Sequence, residues 1–240
     1  MNTTDPEEAV QDVLPGGEAL LARVRAEARG TTRLRFALGY LSLAGLAPLW
    51  DALAAENAEL HLLIGNTRSL PTDEQRVAHA DSAGQPALAP DLDVAAAARF
   101  GRAQVVEETT AALQANLLHL PRTAVNRSLL LGLTRGVAAN RVRVRIYPDG
   151  RLHAKAYLFE HGDAQAATAL VGSSNLSLPS AGDPTELNVA LRDPAAVRSV
   201  DVWFGQLWDA SQEFSRDLFV LLSGTVWLFE AEDSSSNPTK

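Results

Sequence analysis

Hydrophobic positions recur along this chain with two periods, and the switches between them mark its elements. From Arg33 to Tyr40 apolar and polar residues alternate, with Leu34, Phe36, Leu38 and Tyr40 on one side and Arg33 and Arg35 on the other, which predicts a strand. Leu43–Glu56 returns to helical spacing, and Leu60–Gly65 is an apolar run of strand length. Strand, helix and strand within roughly thirty residues predict a right-handed βαβ unit. Upstream, Leu20, Leu21, Val24 and Ala28 line one side of a helix over Gly17–Arg29 that Gly30 stops. Residues 1–15 are polar and acidic, with Pro6 and Pro15, and are expected to be loosely ordered.

Asn66–Asp93, rich in Ala, Asp, Pro, Ser and Gly, reads as a long connection with a short helix near Thr72–His79. Val94–Leu118 and Ala124–Ala138 have helical spacing, with Pro121 between them, so residues 66–140 form a mainly helical insert between two sheet halves. Arg141–Tyr147 then alternates strictly, Val142, Val144 and Ile146 against Arg141, Arg143 and Arg145. Asp149-Gly150 signals a hairpin into a strand over Leu152–Phe159. His161-Gly162-Asp163 turns the chain into a strand over Thr168–Gly172, and Leu176–Pro184 is a loop. Glu186–Arg192 is a further strand, with Leu187, Val189 and Leu191 on one face. Pro194–Phe214 is a helix whose inward side is Val197, Val200, Phe204, Leu207 and Trp208, and Ser215 opens a last apolar helix to about Phe229. Trp203, Trp208 and Trp227 fall at helical spacings, as core or interface aromatics. The whole predicts an α/β fold, a mixed β-sheet flanked by helices on both faces. Residues 1–230 form the domain, and 231–240 a disordered tail or linker.

Composition narrows the partners. The chain has 240 residues, a net charge of −8 and no cysteine, so disulfides and thiolate metal sites are excluded and any nucleic-acid contact must come from a local basic patch. The start, MNTTDPEEAV, is not a signal peptide, and the longest apolar stretch, within Leu218–Phe229, is too short to span a bilayer. A soluble, cytoplasmic protein without a membrane partner is expected. His61, His79, His119 and His161 show no ligand spacing, so neither a metal nor another cofactor is expected.

The residues that carry chemistry lie between Arg151 and Asn175. His153 and Lys155 sit two apart in one strand, Ser173 and Asn175 two apart at the end of the next, and alternate strand residues share a face about 6.6 Å apart. If the two runs pair, an imidazole, an ammonium, a hydroxyl and an amide converge, a set suited to attack on a phosphodiester without a metal.

This pattern resembles the phospholipase D superfamily, whose members share a histidine–lysine–aspartate motif followed by Gly-Ser-x-Asn. Here the motif reads His153-x-Lys155, Glu160 at the acidic position where the family usually has Asp, then Gly172-Ser173-Ser174-Asn175 after a longer gap. The opening segment FALGYLSLAGL is similar to nuclease-type members at the N-terminus of bacterial helicases. The resemblance implies a phospholipase D-like sheet with His153 as nucleophile. Lys155, Ser173 and Asn175 would hold the non-bridging oxygens, with Glu186 orienting the second ring nitrogen of His153. Gly172 would let the backbone approach the phosphate, with Ser174 beside it and Tyr40 at the border of the pocket. Strand alternation puts Glu160 on the opposite face, in a structural role. Arg143 and Arg145 are either the wet face of an edge strand or a phosphate-tracking stripe leading to the site.

One histidine attacks and a second must protonate the leaving oxygen, yet the chain holds a single His-x-Lys, so a C2 homodimer is expected. The function implied is a metal-independent nuclease acting on DNA in preference to RNA, in restriction or phage defence, with a helicase or ATPase as a further partner. The alternatives are a non-catalytic module docking a helicase or DNA, and a phospholipase.

Overall fold

The computed structural model describes residues 10–54, 58–65, 102–148, 152, 154–162, 167–177 and 186–225. The expected helix at Thr72–His79, the Asp149-Gly150 turn, most of the Leu176–Pro184 loop, His79, Trp227, the C-terminal tail and His153 itself lie outside them.

Among the described residues the strands are β1 (Val10–Pro15), β2 (Thr31–Leu38), β3 (Glu59–Ile64), β4 (Val142–Ile146), β5 (Lys155–His161), β6 (Thr168–Gly172), β7 (Leu187–Leu191) and β8 (Gln212–Glu213). They form one mixed sheet in the order β1-β7-β6-β5-β2-β3-β4-β8. The expected βαβ unit is present: β2 and β3 are parallel neighbours, Phe36 opposite Leu62, and β4 continues the parallel block, Val144 opposite Leu62. The helices are α1 (Glu18–Glu27), α2 (Leu43–Leu46), α3 (Trp50–Ala54), α4 (Arg102–His119), α5 (Ala124–Ala138), α6 (Pro194–Ala210) and α7 (Ser215–Ser223). Where one helix was expected over Leu43–Glu56, a 3₁₀ turn at Ala47–Leu49 separates α2 from α3; Pro48, within that turn, has no N–H to continue an α-helical ladder.

The sheet is covered unequally. Even positions of β2, β3 and β4 (Leu34, Phe36, Leu38; Leu60, Leu62, Ile64; Val142, Val144, Ile146) share one core with α1, α2, α4, α5 and α7. Phe36 meets Tyr157 and Phe159 edge-on there, with ring centroids 5.3 and 5.8 Å apart. The opposite face carries α6, which lays Val197 and Phe204 over Ala37, Leu63, Ala156, Leu158 and Ala169. Asp193 starts α6 by accepting from Ala196 N at 2.8 Å, ahead of a proline in the first turn. The helix ends at Ala210, earlier than Phe214, because the extended Ser211 leads into β8 and buried Phe214 donates its N–H to Val144 O at 2.9 Å.

Two further expectations are corrected. Residues 10–15 are ordered as the edge strand β1, antiparallel to β7 with Val13 opposite Val189. Polar composition masks such a strand, since an edge needs only one buried side: Leu14 packs on the core while Val13 is exposed. Next, β4 and β5 do not form a hairpin, because β3 and β2 stand between them. The parallel block leaves the outer edge of β2 free, and β5 joins it antiparallel, with Phe36 opposite Tyr157. Leu187, Val189 and Leu191 share one face of β7, as expected, and the face toward the main core carries Asn188 and Ala190, both buried.

Candidate functional site

The carboxyl ends of the parallel strands β2, β3 and β4 all lie at one edge of the sheet, the edge at which open α/β sheets place ligands. Antiparallel pairing of β5 and β6 brings the start of β5 and the end of β6 to that same edge, with Lys155 directly opposite Gly172. The pairing that the motif required is therefore present.

Lys155 is buried, 8% exposed, on the same side of β5 as Tyr157 and Phe159. Burial pushes its ammonium below the ordinary lysine range, and the nearby Glu186 carboxylate pulls the other way. Asn175, just beyond β6, accepts from the backbone N–H of Gly39 through Oδ1 at 2.8 Å. With its oxygen so committed, the donor NH₂ is the end that the amide can offer an anion. Gly39, next after β2, is where the site closes up. A Cβ there would stand 3.2 Å from Asn175 Oδ1, 3.2 Å from Leu152 O and 3.3 Å from Lys155 Cε. Lysine, asparagine and the strand-entry backbone thus crowd one point, and the absence of a side chain at Gly39 keeps it open.

Glu186 precedes β7, and its carbonyl accepts from Gly16 N at 3.3 Å. A Cβ on Gly16 would meet Glu186 Oε2 at 2.8 Å and Ser174 Oγ at 2.9 Å, so the carboxylate and the motif's middle serine close on the same spot. Burial, with Glu186 and Tyr40 adding to it, raises the Tyr157 hydroxyl far above its ordinary pKa, which keeps it neutral. Tyr40 accordingly lies within electrostatic reach of this cluster. Ser173 is exposed and tied to β7: its Oγ accepts from Leu187 N at 3.2 Å and its N–H donates to Leu187 O at 3.1 Å. Ser174 is fully buried, facing β7 and the Tyr157 hydroxyl.

Gly172 is required by β7: a Cβ there would collide with Asn188 Oδ1 and Leu187 O on the neighbouring strand. One expected role changes. Arg143 and Arg145 do not lead to the site. They stand on the α6 face of the sheet, the face opposite Lys155; Arg143 bonds Asn140 Oδ1 at 3.2 Å, and Arg145 donates to Trp208 O at 2.6 Å with its guanidinium 5.3 Å from the Trp208 ring. Glu160 shares that face, paired with Arg33 and Arg35 on β2, and Arg35 also holds Asp201 of α6. His61 is on the same side, its ring stacked 4.9 Å from Trp208. Burial and the Arg143 charge push it down to about 4, against the pull of Glu59. Among the described residues no group of three or more acidic or histidine side chains could hold a metal, and no helix is long and apolar enough to cross a membrane.

Sequence reasoning passed over Asn188 and Tyr157. The signal for Asn188 was present in the alternation Glu186, Asn188, Ala190, which puts a polar residue on the buried side of a strand. Its partner across the ladder is a glycine, Gly172, which leaves it room.

Residues 119–208 match the family described as cardiolipin synthase, PLD-like domain. Solved structures similar in fold include the phospholipase D family member Nuc from Salmonella typhimurium, 11% identical, covering 85% of this chain and 97% of that one at a TM-score of 0.45. Phosphatidylserine synthase from Haemophilus influenzae is 13% identical, covering 88% of this chain and 44% of that one at 0.48. The archaeal chromatin protein TrmBL2 is 8% identical at a TM-score of 0.42; the match covers 89% of this chain but only 56% of TrmBL2. Comparison with curated protein sequences gives no match. Lys155, the Gly172–Asn175 turn and Glu186 all lie inside residues 119–208, the segment that matches the PLD-like domain family, so this stretch of the chain is phospholipase D-like.

Proposed function

We propose that this protein is a metal-independent phosphodiesterase of the nuclease type that cleaves DNA through a covalent intermediate on His153. The observation that carries this reading is the convergence at Gly39 of a buried lysine and an oriented asparagine amide, at the end of the strand pair that bears the motif. A buried cation and an amide donor aimed at one point suit the non-bridging oxygens of a phosphodiester, whose charge grows as the nucleophile approaches.

In the proposed reaction a neutral His153 nitrogen attacks phosphorus, and the P–O bond to the leaving nucleoside breaks. The leaving oxygen takes a proton from the partner's His153. That imidazole, now neutral, accepts a proton from water, whose oxygen attacks phosphorus and breaks the P–N bond. His153 returns neutral and the partner's His153 returns protonated. Glu186, already close to Lys155, would keep the His153 tautomer set for attack. One motif per chain makes the second imidazole a matter of assembly, so the active form is a twofold dimer. DNA rather than lipid is favoured by that single motif per chain. A helicase or ATPase partner in restriction or phage defence fits the resemblance of the opening segment.

The test is incubation with plasmid, single-stranded DNA and RNA in excess chelator. DNA cleavage that persists there and is lost in His153→Ala and Lys155→Met is expected. Turnover of phosphatidylcholine with DNA left intact, or DNA binding without cleavage, would overturn the reading.

A further inference from the structure

The middle serine of the Gly-Ser-Ser-Asn turn is held by the strands on either side of it. Ser174 is entirely buried, and three hydrogen bonds hold it from two neighbouring strands. Asn188 of β7 donates from Nδ2 to Ser174 Oγ at 2.8 Å and accepts from Ser174 N at Oδ1, 3.4 Å away. The Tyr157 hydroxyl of β5 donates to Ser174 O at 2.5 Å. Asn188 and Tyr157 are themselves buried, at 1% and 0% exposure. Tyr157 is wedged edge-on against Phe36, so its hydroxyl has little freedom to seek another partner. Asn188 reaches the turn only because Gly172 presents no Cβ to block it.

The consequence falls on the two residues that flank Ser174. Ser173 is bonded to Leu187, the neighbour of Asn188 in β7, and Asn175 is bonded to Gly39 beyond β2. With Ser174 bonded in between, the backbone from Ser173 to Asn175 is tied at each residue, and the Asn175 amide is held against the same point as Lys155. We infer that Asn188 and Tyr157 are positioning residues, which act through Ser174 to aim the Asn175 amide at the substrate phosphate.

This inference rests on the phosphodiesterase reading of the site. Neither side chain is among the residues expected to touch the phosphate, so an effect that passes through Asn175 is separable from a general loss of packing by its dependence on Asn175. The experiment is a double-mutant cycle on DNA cleavage in chelator. It uses Asn188→Ala, Asn175→Ala and the pair, with Tyr157→Phe as a milder probe that keeps the ring and removes one bond. All are measured well below their melting midpoints. Asn188→Ala is expected to lower kcat by about tenfold with KM within about twofold, since a misaimed group loses transition-state contacts first. In the Asn175→Ala background the same change should cost less than about twofold, because the group it positions is gone. Tyr157→Phe should fall between wild type and Asn188→Ala.

Cleavage by the wild type with additive losses, or with an unchanged Asn188→Ala, would overturn the positioning role while leaving the nuclease reading intact. If the wild type cleaves nothing, the nuclease reading fails by itself, and the same cycle is run on inorganic phosphate binding by calorimetry. Non-additive losses of phosphate affinity would uphold the positioning role, and additive losses or absent binding would overturn it.

Discussion

Glu160 occupies the acidic position of the motif, and its surroundings assign it to architecture rather than to chemistry. Its carboxylate pairs with Arg35 and, at 3.2 Å, with Arg33, both on β2, and Arg35 continues to Asp201 on α6. The Arg35 side chain is 13% exposed and Glu160 30%. Replacing Glu160 by Gln removes one charge-assisted bond to a largely buried guanidinium, a bond worth about 1.5–3 kcal/mol when well enclosed. The Arg33 pair is more open and contributes no more than about 0.5 kcal/mol. The amide oxygen of Gln still accepts, and Asp201 still neutralises Arg35, so the net loss is about 1–2 kcal/mol. Urea unfolding should show a lower midpoint with an unchanged slope, and heating a fall of about 2–6 °C. Cleavage in chelator should keep its kcat within about twofold, because the carboxylate stands on the α6 face, across the sheet from Lys155. A tenfold or greater loss of kcat with the unfolding midpoint intact would refute this assignment and return Glu160 to the reaction.

Gly39→Ala tests the crowding at the site. Its new methyl must displace Asn175 Oδ1, Leu152 O or Lys155 Cε, each within 3.3 Å, so kcat should fall about tenfold while the melting temperature moves little; normal activity would show that this point is not where the phosphate is held. His61 governs a pH response on the other face. Its folded-state pKa of about 4 lies below the ordinary 6.5, so the unfolded chain binds the proton more readily between those values. The stability this contributes is complete above about pH 6.5 and is lost as the pH falls toward about 4, at about 1.4 kcal/mol per unit of pKa difference. Unfolding free energies measured from pH 4 to 7 should decline on the acid side in the wild type and more shallowly in His61→Gln; equal slopes would contradict it.

What the sequence makes legible here is set by how far each signal reaches along the chain. Alternation within Leu152–Phe159 and Thr168–Gly172, with a turn signal between, was enough to suggest that the two runs pair, because a hairpin is a local object; the register, with Lys155 opposite Gly172, comes from the structure. The same alternation could not say on which side of the whole sheet a residue stands, since that depends on register carried across several strands. Arg145 shows how. It lies opposite Leu63, Leu63 opposite Ala37, and Ala37 opposite Ala156, so the arginine shares the side of Ala156 and not that of its neighbour Lys155. A single-residue slip in any of the three pairings would have reversed the outcome and turned the arginines toward the site. Asn188 escaped for the complementary reason. Its partners, Gly172 and Ser174, lie 14 residues or more away across an intervening loop, and only pairing of β6 with β7 turns a polar residue in an apolar strand into a hydrogen-bonding partner for the motif. The motif residues are thus written locally, in two short runs, whereas the residues that hold them are defined only by the order of strands in the finished sheet.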